Sequence, residues 1–553
     1  MTDTAVQATT HTDALRARVL PFHRVPLIVV FIVVIFFGLI RFRLRDMPLE
    51  RDEGEYALSG SLMLQGIPPY KLAYNLKLPG TYAAYAAMLA VFGETPSGIH
   101  LGFLLVNAVT VLLMYFLAAR LLGNIAGVVA AASYALLSTS PGILGFQAHA
   151  THFIVLPALA GILLLLSALD SQRQWIFFLS GVLSGIAFLM KQHGAFVPIF
   201  CFFYLLVEAR KRAIAPARTT RLATWFSLGM IAPGVITAWL LQHAGVFHQF
   251  WFWTVSYAGE YSKMGLRRGI RVFLANFHTV TAGTALIWLL AALGLIALRW
   301  SPRARKHAWF LVSLLLLAFI AICPGVQFRP HYFVLLLPAI SLLVAVAVST
   351  ATDIVALPGK SNFLIALPVA AFLTSFASTI YQQHVFYFSL TPEQALRSVY
   401  PADSGIFLSA PKIADYIREH SSPSSQLGVI GSEPEVYFYA RRLPATGYIY
   451  MYSLIEKQKY TDRMRQQMTR EVETSRPDYL VYVDAWDSWG YQNAAAPQVQ
   501  ALFSWAKNYI AENYDRVGVA GLGKTIQYAF GNAAQTHAPY HHDAIFVFHR
   551  RKE

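Results

Sequence analysis

The chain has 553 residues, of which 56% are hydrophobic and only 13% are charged. A soluble protein of this length carries about 25% charged residues, so the composition excludes that class and predicts a polytopic membrane protein. The net charge of +15 favours contact with anionic lipid rather than nucleic acid, because no soluble basic domain is present to hold a nucleic acid. The two cysteines, Cys201 and Cys323, lie in apolar segments, which indicates inert core residues and no disulfide framework.

Long apolar runs recur from the first helix to about residue 380, and a spanning helix needs roughly 20 such residues. The sequence therefore predicts a polytopic α-helical protein with about eleven transmembrane helices. The first run is followed by arginines rather than a cleavage site, so we interpret it as a retained helix. The predicted spans are 25–40, 98–119, 123–140, 150–169, 174–190, 194–207, 222–242, 279–298, 308–323, 332–349 and 363–380.

Lysine and arginine in short loops predict the orientation. The loops at 208–221 and 299–306 are strongly basic and fall on the same side as the N-terminal tail, residues 1–24, so that side is predicted to be cytoplasmic. We expect a multi-pass protein of the cell inner, or plasma, membrane. Residues 25–381 would form its transmembrane domain, with large external loops at 41–97 and 243–278.

The C-terminal part, residues 382–553, has an ordinary soluble composition and is predicted to be an extracytoplasmic α/β domain. Apolar runs at 427–431, 479–483 and 544–548 indicate strands, and 434–440 indicates a helix or turn. Within the first external loop, the apolar piece 79–92 is too short to span comfortably, so it favours an interfacial or re-entrant helix.

Charged residues are frequent on the predicted external side, where the orientation rule expects few cations. Lys77, Lys191 and Arg329 all fall there, as does an arginine cluster that includes Arg267 and Arg268. Cations in these positions suggest an anionic ligand such as a lipid phosphate. Interface anchoring of single side chains, and a headgroup-binding patch for the arginine cluster, are the simpler alternatives.

Four short motifs occur in order along residues 25–350 and on that one side. They are Asp52-Glu53-Gly54-Glu55-Tyr56-Ala57, Lys77-Leu78-Pro79-Gly80-Thr81-Tyr82, Met190-Lys191-Gln192 and Arg329-Pro330-His331-Tyr332-Phe333. In order and spacing this set resembles the protein O-mannosyltransferase and aminoarabinose-transferase superfamily, GT-C-fold glycosyltransferases that use polyprenyl-phosphate sugars. The resemblance implies transfer of a sugar from such a donor to a hydroxyl of a lipid, glycan or protein acceptor at the outer face of the membrane.

The resemblance also implies roles for particular residues. Asp52 would be the general base that takes the acceptor proton during an inverting transfer, supported by Glu53, whereas Glu55 is expected on a solvated face. Helix capping is the alternative for Asp52. Cations would stabilise the leaving phosphate. The residues predicted to bind the donor phosphate are Lys77, Lys191, Arg329, His331, Arg267 and Arg268, and those predicted to contact substrate are Tyr56, Tyr82, His149 and His152.

A divalent metal is a further possibility, because His149 and His152 are spaced to lie on one helix face. Leu76 stands where some relatives carry a carboxylate, and no acidic residue lies close to the histidines, so the sequence assigns no metal ligand. Two other classes of function stay open. One is a transporter or flippase of a lipid-linked anion, which would place its ionisable residues in mid-helix. The other is a membrane-anchored assembly factor whose soluble part does the work.

Overall fold

The computed structural model describes residues 24–261, 266–355, 362–490, 496–523, 525–536 and 543–552. The predicted N-terminal tail lies outside these residues except for Arg24, as do residues 262–265 of the predicted second external loop.

The first two thirds of the described chain are helical. Helices occur at each of the predicted spans, and proline or glycine stands at many of their ends, where a helix cannot easily continue. The helices are α1 Val25–Arg43, α2 Arg51–Leu64, α3 Pro79–Phe92, α4 Pro96–Leu122, α5 Asn124–Ser138, α6 Ala150–Ser171, α7 Gln174–Met190, α8 Phe196–Lys211, α9 Pro216–His243, α10 Phe247–Trp251, α11 Ala258–Tyr261, α12 Leu266–Thr281, α13 Ala285–Ala297, α14 Pro302–Lys306, α15 Ala308–Ile322, α16 Leu337–Val355 and α17 Asn362–Gln382.

By length and composition, six of the helices in the described part could cross a membrane, or seven if one bent pair counts as a single span. The bent pair is α12 with α13, which meet at 108°, so the predicted span 279–298 begins with a sharp turn instead of a straight entry. Helices α5, α7 and α15 are apolar but shorter. The count of about eleven spans therefore stays a prediction, while the short helix at 79–92 is confirmed as α3.

The C-terminal part contains a mixed six-stranded sheet flanked by helices, which confirms an α/β arrangement there. Its strands are β1 Gln426–Ile430, β2 Leu443–Pro444, β3 Tyr479–Asp484, β4 Tyr514–Gly521, β5 Gln527–Phe530 and β6 Ala544–Arg550, in the order β2-β1-β3-β6-β4-β5. Its helices are α18 Pro392–Val399, α19 Ser404–His420, α20 Pro434–Ala440, α21 Tyr452–Ile455, α22 Thr461–Ser475, α23 Trp486–Trp489, α24 Pro497–Asn513 and α25 Asn532–Thr536.

The sheet has a parallel half and an antiparallel half. Strands β2 and β3 run parallel to β1, whereas β6 is antiparallel to both β3 and β4, and β5 is antiparallel to β4. The three strands predicted from apolar runs are confirmed as β1, β3 and β6, and the predicted helix or turn is α20. Both parts of the chain contribute to one continuous core.

The C-terminal part contacts α2 directly through residues 432–435, which follow the end of β1. Gly54 of α2 lies so close to Glu435 of α20 that a Cβ at Gly54 would stand 2.6 Å from the Cβ of Glu435. Next to this contact, Arg51 donates to the Ser432 carbonyl oxygen at 2.7 Å and to the buried Glu433 carboxylate at 3.2 Å. The absence of a side chain at Gly54 therefore allows the sheet region to pack on the helix that carries Asp52.

Candidate active site

Helix α2 begins with a side-chain cap that fixes its first turn. The Glu50 carboxylate accepts a hydrogen bond from the Glu53 amide at 2.9 Å, which satisfies one of the amides that a helix start leaves unpaired. Glu50, rather than Asp52, is thus the capping residue. Asp52 and Glu55 are three residues apart, so their side chains lie on the same face of the helix.

Lys77 joins these two carboxylates. Its ammonium group lies 2.8 Å from Asp52 Oδ1 and 2.8 Å from Glu55 Oε2, and it sits over the Tyr56 ring at 4.5 Å. The Glu55 side chain is fully buried, whereas 27% of the Asp52 side chain is exposed. A buried ammonium between two carboxylates is strongly held, and Asp52 is the member of the trio that a substrate can reach.

The charges around Asp52 decide its protonation state. Burial raises the pKa of Asp52, but the combined effects of Lys77, His149 and Lys191, including the hydrogen bond from Lys77, outweigh it, and the net pKa lies well below the usual range. Burial likewise lowers the pKa of Lys77, yet Asp52 and Glu55 reverse the shift and hold it well above the ordinary value. Asp52 is therefore a carboxylate and Lys77 an ammonium at neutral pH.

The expectation that Glu55 occupies a solvated face is wrong. Besides its contact with Lys77, Glu55 accepts a hydrogen bond of 2.6 Å from the Tyr82 hydroxyl. Tyr82 and Tyr56 are both buried beneath these carboxylates. The spacing of Asp52 and Glu55 on one helix face was the available sequence signal, because a cation that reaches one acid from that side also reaches the other.

Glu53 points away from this trio and organises the segment before α6. One of its oxygens accepts from the Ala148 amide at 2.7 Å and contacts His100 Nε2 at 3.0 Å. The side chain is fully buried. Glu53 thus ties the helix that carries Asp52 to the backbone just before His149.

His149 lies beside Asp52 and stacks on His331. The two imidazole rings are 4.0 Å apart and nearly parallel, and His149 Nδ1 is 3.8 Å from Asp52 Oδ2. Burial lowers the pKa of His149 to about 4, so its ring is neutral at physiological pH. Neither nitrogen of His149, nor Nδ1 of His331, has a hydrogen-bond partner among the described residues.

The ligand atoms of Asp52, His149 and His331 all lie within 4.8 Å of one another, a separation that one metal ion could bridge. His152, the histidine that the helix spacing pairs with His149, is not in this group, since its ring packs edge-on against Phe103 at 4.8 Å. Neutral histidines with unpaired nitrogens beside a carboxylate are suitable ligands for a divalent transition metal.

Lys191 lies at the end of α7, where that helix packs closely on α3. Thr81 donates to the Met190 carbonyl oxygen at 2.6 Å, and Gln192 donates to the Leu76 carbonyl oxygen at 2.6 Å. These bonds hold the Lys77 and Lys191 segments side by side. The Lys191 ammonium sits over the Tyr332 ring at 4.3 Å, and among the described residues it has no ion pair or hydrogen bond.

Burial, reinforced by the like charge of Lys77, lowers the pKa of Lys191 to about 7. Near pH 7 the ammonium and the neutral amine of Lys191 are both populated, and the ammonium form, which has no anionic partner among the described residues, can bind an anion. Arg329 is exposed at the start of the 3-10 turn Pro330–Leu336, whose His331 carbonyl oxygen accepts from Thr151 at 2.8 Å. Arg267 and Arg268 are exposed on α12, and none of the contacts above includes them.

One residue of the C-terminal part reaches this group. The Tyr450 hydroxyl is 3.0 Å from the Arg51 carbonyl oxygen, 3.3 Å from Glu55 Oε2 and 3.5 Å from Asp52 Oδ1. Sequence reasoning missed Tyr450, because nothing in its local sequence marks it and almost 400 residues separate it from α2. Asp52 Oδ1 faces Lys77 and Tyr450, whereas Oδ2 lies toward His149 and accepts no hydrogen bond from the described residues.

The arrangement can accept a proton and bind an anion within one small region. Asp52 is an ionised, partly exposed carboxylate, and Lys191 is a buried cation without an anionic partner in the described chain. These contacts bring the motif residues Asp52, Lys77, Lys191 and His331 into one region, while their catalytic and binding roles stay predictions. Their separation in sequence extends from residue 52 to residue 331, so the fold alone brings them into one site.

Comparisons with known proteins agree with the predicted resemblance. Residues 77–237 match a family model described as dolichyl-phosphate-mannose-protein mannosyltransferase. No curated protein matches the chain significantly.

Among solved structures, ArnT from Cupriavidus metallidurans bound to undecaprenyl phosphate is similar at a TM-score of 0.58 and 15% identity, covering 94% of this chain and 97% of that one. ArnT from the same organism in the apo state is similar at a TM-score of 0.54 and 16% identity, and the match covers 97% of this chain and 98% of that one. A third similar structure is the archaeal oligosaccharyltransferase AglB from Archaeoglobus fulgidus, in complex with an inhibitory peptide and a dolichol-phosphate. Its TM-score is 0.50 at 14% identity, and the match covers 91% of this chain and 74% of that one. The chain therefore has the GT-C fold.

Proposed function

We propose that this GT-C-fold protein is a glycosyltransferase that moves a sugar from a polyprenyl-phosphate donor to an acceptor hydroxyl. The observation that carries the proposal is the group of Asp52, Lys77 and Lys191, in which an ionised carboxylate lies near a buried lysine that has no anionic partner among the described residues. Structural neighbours bound to undecaprenyl phosphate and to a dolichol-phosphate support the class of donor.

The Asp52 carboxylate would accept the proton of the acceptor hydroxyl. As the hydroxyl oxygen attacks the sugar C1, the bond from C1 to the phosphate oxygen breaks and the electron pair leaves with the phosphate. Direct attack from the opposite side inverts the configuration at C1. Because Lys77 keeps the pKa of Asp52 low, Asp52 is a weak base, and departure of the phosphate must supply much of the driving force.

The departing phosphate gains negative charge, which nearby cations stabilise without moving a proton. Lys191 is the first candidate for this contact, because Lys77 is already held by two carboxylates. Arg329, exposed at the mouth of the neighbouring turn, would bind the same phosphate from the outer side. We assign the outer, extracytoplasmic face of the membrane to this site, in keeping with the basic cytoplasmic loops of the sequence.

The proposed activity is tested with purified protein in liposomes. Undecaprenyl phosphate carrying one radiolabelled monosaccharide at a time is supplied together with a membrane extract of the source cells as acceptor. We expect labelled glycolipid, glycan or protein together with free undecaprenyl phosphate. Movement of the labelled lipid across the bilayer without any transfer would contradict the proposal and favour a flippase.

Substitution of Lys191 tests the phosphate contact. We expect Lys191→Met to weaken binding of undecaprenyl phosphate by about tenfold or more, since a hydrogen bond to a charged group contributes about 1.5–3 kcal/mol. Lys71→Met, at an exposed lysine of the same external region, is the matched control and should bind normally. Equal affinity of the Lys191 and Lys71 variants, measured by native mass spectrometry or thermal shift, would remove Lys191 from the donor site.

The pH dependence of this binding follows from the pKa of Lys191 at about 7. Below that pH the side chain is an ammonium, and above it the neutral amine predominates, so the affinity is expected to fall as the pH rises through 7. Lys191→Arg keeps its charge over this range and should show a smaller fall. The phosphate titrates identically for both proteins, so the difference between the two profiles isolates Lys191, and identical profiles would count against the assignment.

We also propose that Asp52, His149 and His331 can hold a divalent metal ion, which when bound would supply a Lewis acid for the phosphate oxygens. His331→Gln is expected to reduce the metal content of the purified protein and to abolish the rise in melting temperature on adding Zn²⁺ or Mn²⁺. His152→Gln is the matched control, because this buried histidine lies outside the group. Equal metal content and equal thermal response in both variants would refute the site.

A further inference from the structure

We propose that Tyr450 is a positioning residue for Asp52. Because Tyr450 belongs to the C-terminal part of the chain, that part completes the active site. The inference rests on the proposed function and extends it to a residue outside the motifs. It also gives a catalytic reason for the contact between the sheet region and α2.

The position of the Tyr450 hydroxyl carries the argument. Its shortest contact, 3.0 Å, is with the carbonyl oxygen of Arg51, the residue directly before Asp52. The same oxygen lies 3.3 Å from Glu55 Oε2 and 3.5 Å from Asp52 Oδ1, the two atoms that also contact Lys77. The carbonyl and carboxylate oxygens can only accept here, so the Tyr450 hydroxyl is the donor in these contacts.

A single proton cannot satisfy three acceptors at once, so the hydroxyl is shared among them. Together with Lys77 it places two donors on the Oδ1 side of Asp52, whereas His149 Nδ1 lies 3.8 Å from Oδ2, beyond hydrogen-bond distance, and no other described residue donates to Oδ2. This asymmetry fixes the direction in which the free oxygen points. A catalytic group held within a narrow range of orientation reacts faster than one that rotates freely.

The segment that carries Tyr450 is itself fixed on both sides. Towards the sheet, the Met451 amide donates to Ser432 Oγ at 3.0 Å, directly beside the Arg51 contact. Towards the first external loop, the Tyr74 amide donates to the Gly447 carbonyl oxygen at 2.7 Å.

A second anchor lies on α22. The Glu471 carboxylate accepts from Thr446 Oγ1 at 2.7 Å, from the Gly447 amide at 3.1 Å and from the Tyr74 hydroxyl at 3.1 Å. Tyr74 lies three residues before Lys77. The segment that carries Tyr450 is therefore bonded both to the loop before Lys77 and to the start of α2. These bonds fix the position of Asp52 relative to Lys77.

A neighbouring tyrosine provides a matched control. Tyr452 stacks on Tyr450 with ring centroids 5.9 Å apart, and its hydroxyl donates to the Asp487 carbonyl oxygen at 3.1 Å. It has no hydrogen bond to Asp52 or Glu55 in the described chain. Tyr450→Phe and Tyr452→Phe therefore each remove the hydroxyl of one half-buried, stacked tyrosine, and only the first removes a contact with the carboxylates.

The experiment measures kcat, the donor KM and the melting temperature of both variants in the liposome assay. We expect Tyr450→Phe to lower kcat by about tenfold, with a donor KM within about twofold of the unmodified protein, since the loss concerns the orientation of Asp52 and not donor binding. Tyr452→Phe is expected to keep kcat within about twofold. The melting temperatures of the two variants should be similar.

Three outcomes overturn the inference. A kcat of Tyr450→Phe within twofold of the unmodified protein contradicts it while leaving the proposed function intact. An equal fall in kcat for both variants, in parallel with equal losses of melting temperature, shows a structural role only. Absence of transfer by the unmodified protein contradicts the proposed function itself, and with it the reason for positioning Asp52.

Discussion

Asp52→Asn is expected to lower kcat for sugar transfer by about 10²–10⁴-fold, the usual contribution of a positioned general base. Asparagine has nearly the same shape as aspartate and can still accept a hydrogen bond from Lys77, but its amide cannot take a proton from the acceptor hydroxyl. The donor KM should change little, because Lys191 and Arg329 would still bind the phosphate. Steady-state transfer of a radiolabelled sugar in liposomes measures both quantities.

The control for this variant is Asp415→Asn, at an exposed aspartate that pairs with Arg418 on the surface of α19. Its activity should equal that of the unmodified protein, since surface ion pairs contribute little. Transfer by Asp52→Asn at more than about one tenth of the normal rate would show that another group accepts the proton.

Lys77→Met is expected to have the second large effect, on both stability and activity. It removes the only cation in the described structure that bonds to Glu55, and leaves this fully buried carboxylate uncompensated. Breaking a buried ion pair from one side costs about 3–5 kcal/mol in the free energy of unfolding. Transfer should fall by at least 10²-fold, because Asp52 loses the contact that orients it and keeps it ionised. Thermal unfolding and the transfer assay measure the two losses separately.

A second substitution separates these two effects. Glu55→Gln in the Lys77→Met background removes the unpaired buried charge, so it should recover much of the lost melting temperature without restoring transfer. Lys71→Met, at an exposed lysine, is the single-site control. Recovery of transfer along with stability would mean that Lys77 supports the fold and has no role of its own at Asp52.

Motif order predicted the site better than it predicted the roles within it. The motifs that contain Asp52, Lys77, Lys191 and His331 lie near the ends of apolar segments on one predicted side, and the fold brings these four residues into one region. The prediction for Glu55 failed, because the three-residue spacing puts Asp52 and Glu55 on one helix face but does not show whether that face is solvated or holds a buried cation. Only the position of Lys77 decides between these environments.

The fold was predictable where apolar periodicity is strong. Strands β1, β3 and β6 and the short helix α3 follow directly from their apolar runs. The contact between α20 and Gly54 was not, and neither was the approach of Tyr450, because both depend on how the sheet region packs on α2. Residues so far apart in sequence meet only through tertiary packing, and the local sequence around each residue does not indicate such a contact.

The stereochemistry of the transferred sugar distinguishes a single displacement assisted by Asp52 from any route through a covalent intermediate. If Asp52 removes the acceptor proton while the hydroxyl attacks C1 and the phosphate departs, the product must have the anomeric configuration opposite to that of the donor. Nuclear magnetic resonance of the product formed by purified protein from a donor of known configuration measures this. A single displacement gives complete inversion at the sugar C1, whereas retention of configuration would contradict a single displacement at Asp52.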